Sequence, residues 1–552
     1  MTSILSWGID HSAHRLRPEM FSLPPLARYL LQFPRCIAPT ERQALQNTIS
    51  ENRIDLFAHG TTNHAIMQAS SWYLLAQAFP GAAWTDIGGT KYSSIELMRA
   101  LAERLLARQT AQLTQGFDEQ FSPTYAIENF FSLLNLVDLA TDNAITVAAE
   151  AGLIQQLAML YSNSFHGLLV PPLGRNSHLQ TNSAAPRAGM DISAGQHLLW
   201  YYSGEPTFGR NDFFGTEPLY IVMLALSNWQ PPQELSGLLD RDKPSRIRTV
   251  TPSFSIWGNP GQPSLYGKAF VSDDFAIGLG NFIFNPAWYN EDTNNFSILV
   301  RSPKLFNYIQ CYHPFWRSNE GPGAWLHDQS SPFMEGDLQD DRGALIFSIP
   351  DKDPWPQSNA NRFFKLRNQR ANALIREVNC RFPTAIDEVR QFDKAIFLRE
   401  GATYVGLRIV GSDTQDFSEI TGDVSGAFRN FRISGSKVTL YFRVGLQREL
   451  RNFDDFQKAV MREDIRLNEE RNEVAFRDRE GTWKYVRYEL EPYHLPPWIS
   501  AIPRISDETG VTKSSYLENE KVSAGSQGLF IRSFGREIHI RANNQRIAID
   551  RK

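Results

Sequence analysis

Trp229-Gln-Pro-Pro-Gln-Glu234, followed closely by Asp240-Arg-Asp-Lys-Pro-Ser245, divides the chain into two regions with different local grammar. Both stretches are polar and carry proline, which cannot donate a backbone hydrogen bond, so they read as a linker rather than as part of a helix or strand. Before them, from about residue 40 to 230, apolar residues recur at helical spacing. Ile95, Met98, Ala102, Leu105 and Leu106 share one helical face, and so do Ile127, Phe130, Phe131 and Leu134. A further helix is expected from Ile145 to Tyr161, capped by Thr141 or Asp142, and others near Ala194–Tyr202 and Pro218–Trp229.

After the linker the runs become short, β-branched or aromatic, and bounded by turn residues. Ser264–Val271, Ala344–Ile349, Lys394–Leu398, Thr403–Ile409 and Lys437–Arg443 all have this form, as do Gly528–Ser533 and Glu537–Arg541 near the end. Short helices are expected within 364–394 and 453–471. The expected fold is therefore multidomain α+β. Residues 1–235 form a helical domain, and 245–552 form a large antiparallel β-sandwich with room for a small C-terminal β subdomain. Helical hairpins joined by Gly- and Pro-containing loops suit either a bundle or a ring.

A chain of 552 residues exceeds one ordinary core, which agrees with two large units. The net charge of -4 argues against a generally nucleic-acid-binding surface, and no nucleic-acid partner is expected. No uninterrupted apolar stretch is long enough for a membrane span, so no membrane is expected. The three cysteines, Cys36, Cys311 and Cys380, are too few and too scattered to suggest a disulfide framework or a zinc site. The opening residues lack a basic segment followed by an apolar run, which points to the cytoplasm, or to secretion if a leader has been trimmed. There is no glycine-rich nucleotide loop, zinc-protease helix or nucleophile elbow in a supporting context. No cofactor is therefore expected. A structural metal is left open, because no spacing compels one.

Two helix starts carry chemistry. The first is Gly60-Thr-Thr-Asn63-His64, and the second is Ser122-Pro-Thr-Tyr125. Ser122 followed by Pro123 has the form of an N-cap and first helical residue, which puts Tyr125 in the first turn. As ordinary structural residues, Asn63 is a cap, His64 a first-turn side chain with a local bond, and Tyr125 a core phenol. A helical half ahead of a β-sandwich, with Asn-His on one helix and Tyr on a later one, resembles the heparinase II/III-like superfamily of polysaccharide lyases. Ala269–Gly278 resembles the strand and turn that opens such sandwiches, and Phe397–Gly406 resembles a strand pair inside one. Thr61-Thr62 departs from the acidic residue expected before the Asn-His pair. A second segment, Asp191-Ile-Ser-Ala-Gly-Gln-His197 through Tyr202-Ser-Gly204, is similar to one in hyaluronate and chondroitin lyases, with Pro206 where their catalytic tyrosine would stand.

The resemblance implies an (α/α) toroid and β-elimination on an acidic, uronic-acid-containing glycan. In that chemistry the sugar carboxylate is neutralised so that charge developing at C5 is stabilised. A tyrosine or a Tyr-His pair moves the proton. By resemblance Asn63 neutralises, His64 assists or acts as base, Tyr125 is the acid/base, and His313 reaches over the cleft from the β-half. Arg175, Asn176 and His178, in the loop that begins at Gly167, are expected to bind substrate, Arg175 by a bidentate grip on a carboxylate. His197, Tyr202 and Trp316 join them as expected binding groups. The rival readings are an inverting glycoside hydrolase on a helical barrel and a lyase-like scaffold with a glycan-binding or other intracellular role. Asp118 and Glu119 are adjacent in one loop and poorly disposed to flank a bond as a hydrolase pair.

Overall fold

The computed structural model describes residues 21–51, 53–56, 62–116, 125–173, 194–204, 218–252, 263–282, 295–302, 308–313, 333–351, 376–411, 416–420, 428–488, 515–543 and 546–552. The first half holds helices α1 (Leu23–Gln32), α2 (Pro39–Ser50), α3 (Thr62–Ala78), α4 (Ser94–Gln115), α5 (Ala126–Leu139), α6 (Asn143–Ser162), α7 (Ala194–Ser203) and α8 (Pro218–Ala225). Strands β1 (Arg53–Ile54), β2 (Ala83–Asp86) and β3 (Lys91–Ser93) form a small sheet, and β4 (Ser164–Phe165) and β5 (Leu168–Leu169) a hairpin.

Local chemistry accounts for several boundaries. Ser93 and Glu96 form a reciprocal capping box at the start of α4, with the Ser93 N–H donating to the Glu96 carboxylate at 2.8 Å. Asp142 caps α6 by accepting from the Ala144 N–H at 2.8 Å, as the sequence suggests. The buried face of α4 differs from the expected one. Leu97, Leu101, Leu105, Gln109 and Leu113 turn inward, whereas Ile95 is 68% exposed. The inward row wins because it meets α6, where the Gln109 amide packs against Gly152. Helix α6 is long and apolar enough to cross a membrane, but most of it is buried as the central helix of this half.

The second half is antiparallel β. Its early strands are β6 (Ser245–Pro252), β7 (Pro263–Val271), β8 (Phe275–Phe282), β9 (Phe296–Val300), β10 (Tyr308–Tyr312), β11 (Met334–Gln339) and β12 (Arg342–Ser348). Then come β13 (Glu377–Pro383), β14 (Glu388–Phe392), β15 (Ala395–Glu400), β16 (Thr403–Val410), β17 (Ser418–Ile420), β18 (Phe428–Ser434) and β19 (Lys437–Leu446). After α9 (Phe453–Arg462) follow β20 (Arg466–Asn468), β21 (Glu473–Arg477) and β22 (Trp483–Arg487). The last are β23 (Ser515–Glu518), β24 (Val522–Gly525), β25 (Gly528–Ser533), β26 (Arg536–Asn543) and β27 (Arg546–Arg551).

One sheet of thirteen described strands runs β17-β18-β13-β10-β9-β8-β7-β6-β23-β24-β25-β26-β27. A second runs β11-β12-β19-β16-β15-β14. The two stack face to face over a core that includes Phe275, Ile298, Phe347, Phe382 and Phe442. The C-terminal strands do not stand apart. β23 pairs with β6, and Leu517, Leu529, Ile531, Ile538 and Ile540 share one apolar core with α4 and α6. Two sequence readings are corrected. Residues 377–383 and 388–392 are strands rather than helix, although α9 does fall within 453–471. Cys311 and Cys380, facing residues on β10 and β13, form a disulfide.

The halves are closely fitted. A Cβ on Gly278 would lie 2.1 Å from the Pro171 carbonyl oxygen, and one on Gly267 would lie 2.6 Å from the Pro172 ring. The Tyr308 hydroxyl donates to the Leu169 carbonyl at 3.2 Å, and the His166 ring meets the Asp273 carbonyl at 2.8 Å. The expected linker is anchored too. The Arg241 guanidinium donates to the carbonyls of Leu238, Tyr161 and Ser164 at 2.6, 2.9 and 2.7 Å.

Candidate active site

Helices α3 and α5 run parallel, and a side-chain amide joins them at each end. At their N-terminal ends the Asn63 Nδ2 donates to the Glu128 Oε2 at 2.6 Å. At their C-terminal ends the Gln77 Nε2 donates to the Leu139 carbonyl at 2.8 Å, and the Gln77 Oε1 accepts from the Thr141 N–H at 3.0 Å. Paired starts and paired ends leave only the parallel arrangement. The positive ends of two helix macrodipoles therefore converge where Asn63, His64, Tyr125 and Glu128 lie.

Each of these side chains has a defined setting. Asn63 is wholly buried within the first turn of α3, so it is not the cap of that helix. His64 is half-buried, and its ring meets Phe21 edge-on at 5.7 Å. Tyr125 is half-buried and occupies the N-cap position of α5 rather than the first-turn position expected; Ser122 and Pro123 lie outside the described residues. Glu128 is 5% exposed in the first turn of α5, where the helix end favours a carboxylate. It stands three residues after Tyr125, on the same side of the helix.

Further along α5, Arg28 holds the helix in place. Its Nε donates to the Asn135 Oδ1 at 2.6 Å, and its terminal nitrogens reach Asp138 at 2.5 Å and the Leu226 carbonyl at 3.3 Å. Arg28 is only 1% exposed, and a buried guanidinium is tolerated here because it is paired and hydrogen-bonded.

The other expected site residues fall elsewhere. His197 is 3% exposed on α7, and burial pushes its imidazole down to about 4, so the ring is neutral near pH 7. Tyr202 packs against Phe130 and Trp229 at 5.5 and 5.6 Å, and burial raises its phenol far above the usual range. His313 follows β10 directly and meets Phe333 of the sandwich core at 5.4 Å. Strand alternation explains this placement. Ile309 and Cys311 point into that core, whereas Tyr308 points to the helical half through its bond to Leu169. The structure thus turns the wholly buried His313 toward the sandwich core rather than over a cleft. Arg175, Asn176, His178 and Trp316 lie outside the described residues.

Sequence reasoning missed Glu128, Gln77 and Arg28. Glu128 carried a usable signal, being an acid one turn after Tyr125 in the first turn of the helix. Gln77 and Arg28 carried none, since their partners are distant in sequence. Among the described residues no three His, Cys, Asp or Glu side chains converge as a metal site.

No family model matches the chain, and no curated protein matches it. Among solved structures the chain is similar to a chondroitinase AC lyase determined in complexes with oligosaccharides, with a TM-score of 0.40 and 9% identity over 96% of this chain and 78% of that one. At that TM-score and identity the likeness assigns no residue a role.

Proposed function

We propose that this protein is a glycan lyase that breaks a uronic-acid-containing chain by β-elimination. The observation that carries the reading is the Asn63–Glu128 bond between parallel helix starts, which brings the helix ends that carry His64 and Tyr125 together at one end of the helical layer. The backbone N–H groups of two helix starts can donate to an anionic substrate group. Tyr125 takes the C5 proton, the C4–O bond to the leaving sugar breaks, a C4–C5 double bond forms, and the departing oxygen is protonated. His64 and the two helix N-termini meet the charge of the substrate carboxylate as it delocalises. Asn63, buried and donating to Glu128, orients this group rather than lying on its surface. Arg175, Asn176, His178 and Trp316 are proposed as substrate-binding groups.

The setting supports a workplace outside the cytoplasm. A buried Cys311–Cys380 bridge is of the kind that persists in oxidising compartments, where polymeric glycans are met. This proposal departs from the cytoplasmic expectation.

The test is ultraviolet absorbance of the unsaturated product, measured with alginate, glucuronan, pectate and glycosaminoglycan oligomers. The wild type should produce a rise on at least one of them, and Tyr125→Phe should lower the rate by roughly a hundredfold or more. A folded wild-type protein that yields no unsaturated product on any of these would overturn the reading, and release of reducing ends in its place would indicate a hydrolase.

A further inference from the structure

We propose that the outer face of the β20–β21–β22 sheet is a second, non-catalytic surface that binds an acidic glycan. The proposal takes its substrate class from the lyase reading but does not depend on catalysis. In this sheet Arg466 faces Ala475, which faces Tyr485, while Arg477 faces Trp483 and Glu473 faces Arg487. Alternation separates the two sides. Val474, Phe476 and Val486 point inward and join the core formed with Phe453, Phe456 and Tyr441. Arg466, Arg477, Arg487, Trp483 and Tyr485 therefore share the outward side, with Glu473 in register with Arg487 at its edge.

Two cations converge on one ring there. The Arg466 guanidinium carbon lies 4.0 Å from the Trp483 ring centroid, and that of Arg477 lies 4.4 Å from it. One arginine would suffice to cover an indole. Two like charges on neighbouring strands repel, and the ring's quadrupole and Asp464, 3.3 Å from Arg466, offset only part of that cost. An anion bridging the pair would relieve the rest. The two guanidiniums lie no further apart than the sum of those distances, which is the scale separating charged groups along an acidic glycan.

Guanidiniums are weakly hydrated and present paired N–H donors that match carboxylate or sulfate. Arg466 has Asp464 at 3.3 Å, and Arg477 donates to the Gly481 carbonyl at 2.8 Å, so each is held in place with donors to spare. Tyr485, in register with Arg466 and 56% exposed, offers a flat apolar surface beside the cations. A nucleic acid fits less well, because guanidiniums already occupy the indole on which a base would stack.

The experiment is affinity electrophoresis of the full chain in native gels containing chondroitin sulfate, alginate, polygalacturonate or neutral dextran. Retardation should appear with at least one acidic polymer, weaken with salt, and be absent with dextran. The double variant Arg466→Gln/Arg477→Gln should lose at least tenfold in affinity with an unchanged melting temperature. If it is less stable, Arg466→Lys/Arg477→Lys keeps the charge and should still bind several-fold more weakly. Retardation that is equal in the variants, absent in the wild type, or displaced more readily by single-stranded DNA than by the glycan would overturn the proposal. Because Arg466→Gln/Arg477→Gln should still release unsaturated product from short oligomers at the wild-type rate, loss of the surface and loss of the lyase reading are told apart.

Discussion

Glu128 shows how one side chain sets the candidate site. It takes the Asn63 amide at 2.6 Å, and neither residue has appreciable contact with water. Glu128→Ala leaves a buried amide short of a partner and should cost about 1–3 kcal/mol, measured by urea unfolding. It should also lower any lyase rate with no substitution of Tyr125 itself, and an unchanged stability would show that the bond contributes little.

His197 makes a pH-dependent contribution. Its ring titrates near 6.5 when free and at about 4 in the fold, because burial disfavours the charged form. The unfolded chain therefore binds the proton more readily. The contribution is complete above pH 6.5 and is lost as pH falls through that value toward 4. The full loss is on the order of 3 kcal/mol. Melting temperature followed from pH 7 down to 4 should fall less steeply in His197→Phe than in the wild type.

At the scale of elements, legibility tracked unbroken runs of strand-forming side chains between turn residues. The runs at 344–349, 394–398, 403–409 and 437–443 all fall largely in strands, because short β-branched or aromatic runs with turn residues at both ends have few other readings, and the structure buries both of their faces. β13 escaped notice because its sequence is interrupted by polar residues. Val378, Cys380 and Phe382 do alternate, but Glu377, Asn379 and Arg381 between them are polar and yet buried, so the stretch lacked the apolar run that marked the other strands. The face of α4 was misjudged because Ile95 and Leu97 are equally apolar and only contact with α6 chooses between them. The disulfide follows from strand register, since Cys311 and Cys380 become neighbours only when β10 and β13 pair. Their separation of 69 residues makes the bridge a long loop closure, and Cys311→Ala/Cys380→Ala should lower stability by about 2–4 kcal/mol in chemical denaturation. Dithiothreitol should have a matching effect on the wild type and none on the variant.

For the whole molecule the decisive contact is the approach of the Pro171-Pro172 segment to the sheet. Gly278 has no room for a side chain there, because the nearest obstacle is backbone oxygen rather than a flexible group. Gly278→Ala should destabilise by about 1–3 kcal/mol or more and should loosen the helical half from the sheet, which hydrogen exchange in β8 and in the β4–β5 hairpin would report. Normal exchange and stability in that variant would mean the two halves adapt more freely than the packing indicates.

By itself the sequence determined that helices precede antiparallel strands, that Asn63, His64 and Tyr125 stand at helix starts, and that most quoted apolar runs are core. Those features depend on spacing along the chain, which local periodicity and turn residues encode. Tertiary structure alone decided that α3 and α5 run parallel with their starts joined, that His313 faces the sandwich core, and that the last strands extend the large sheet. Each of these depends on pairs of residues far apart in the chain, such as Asn63 with Glu128 and Thr249 with Leu517, whose contact no local pattern records.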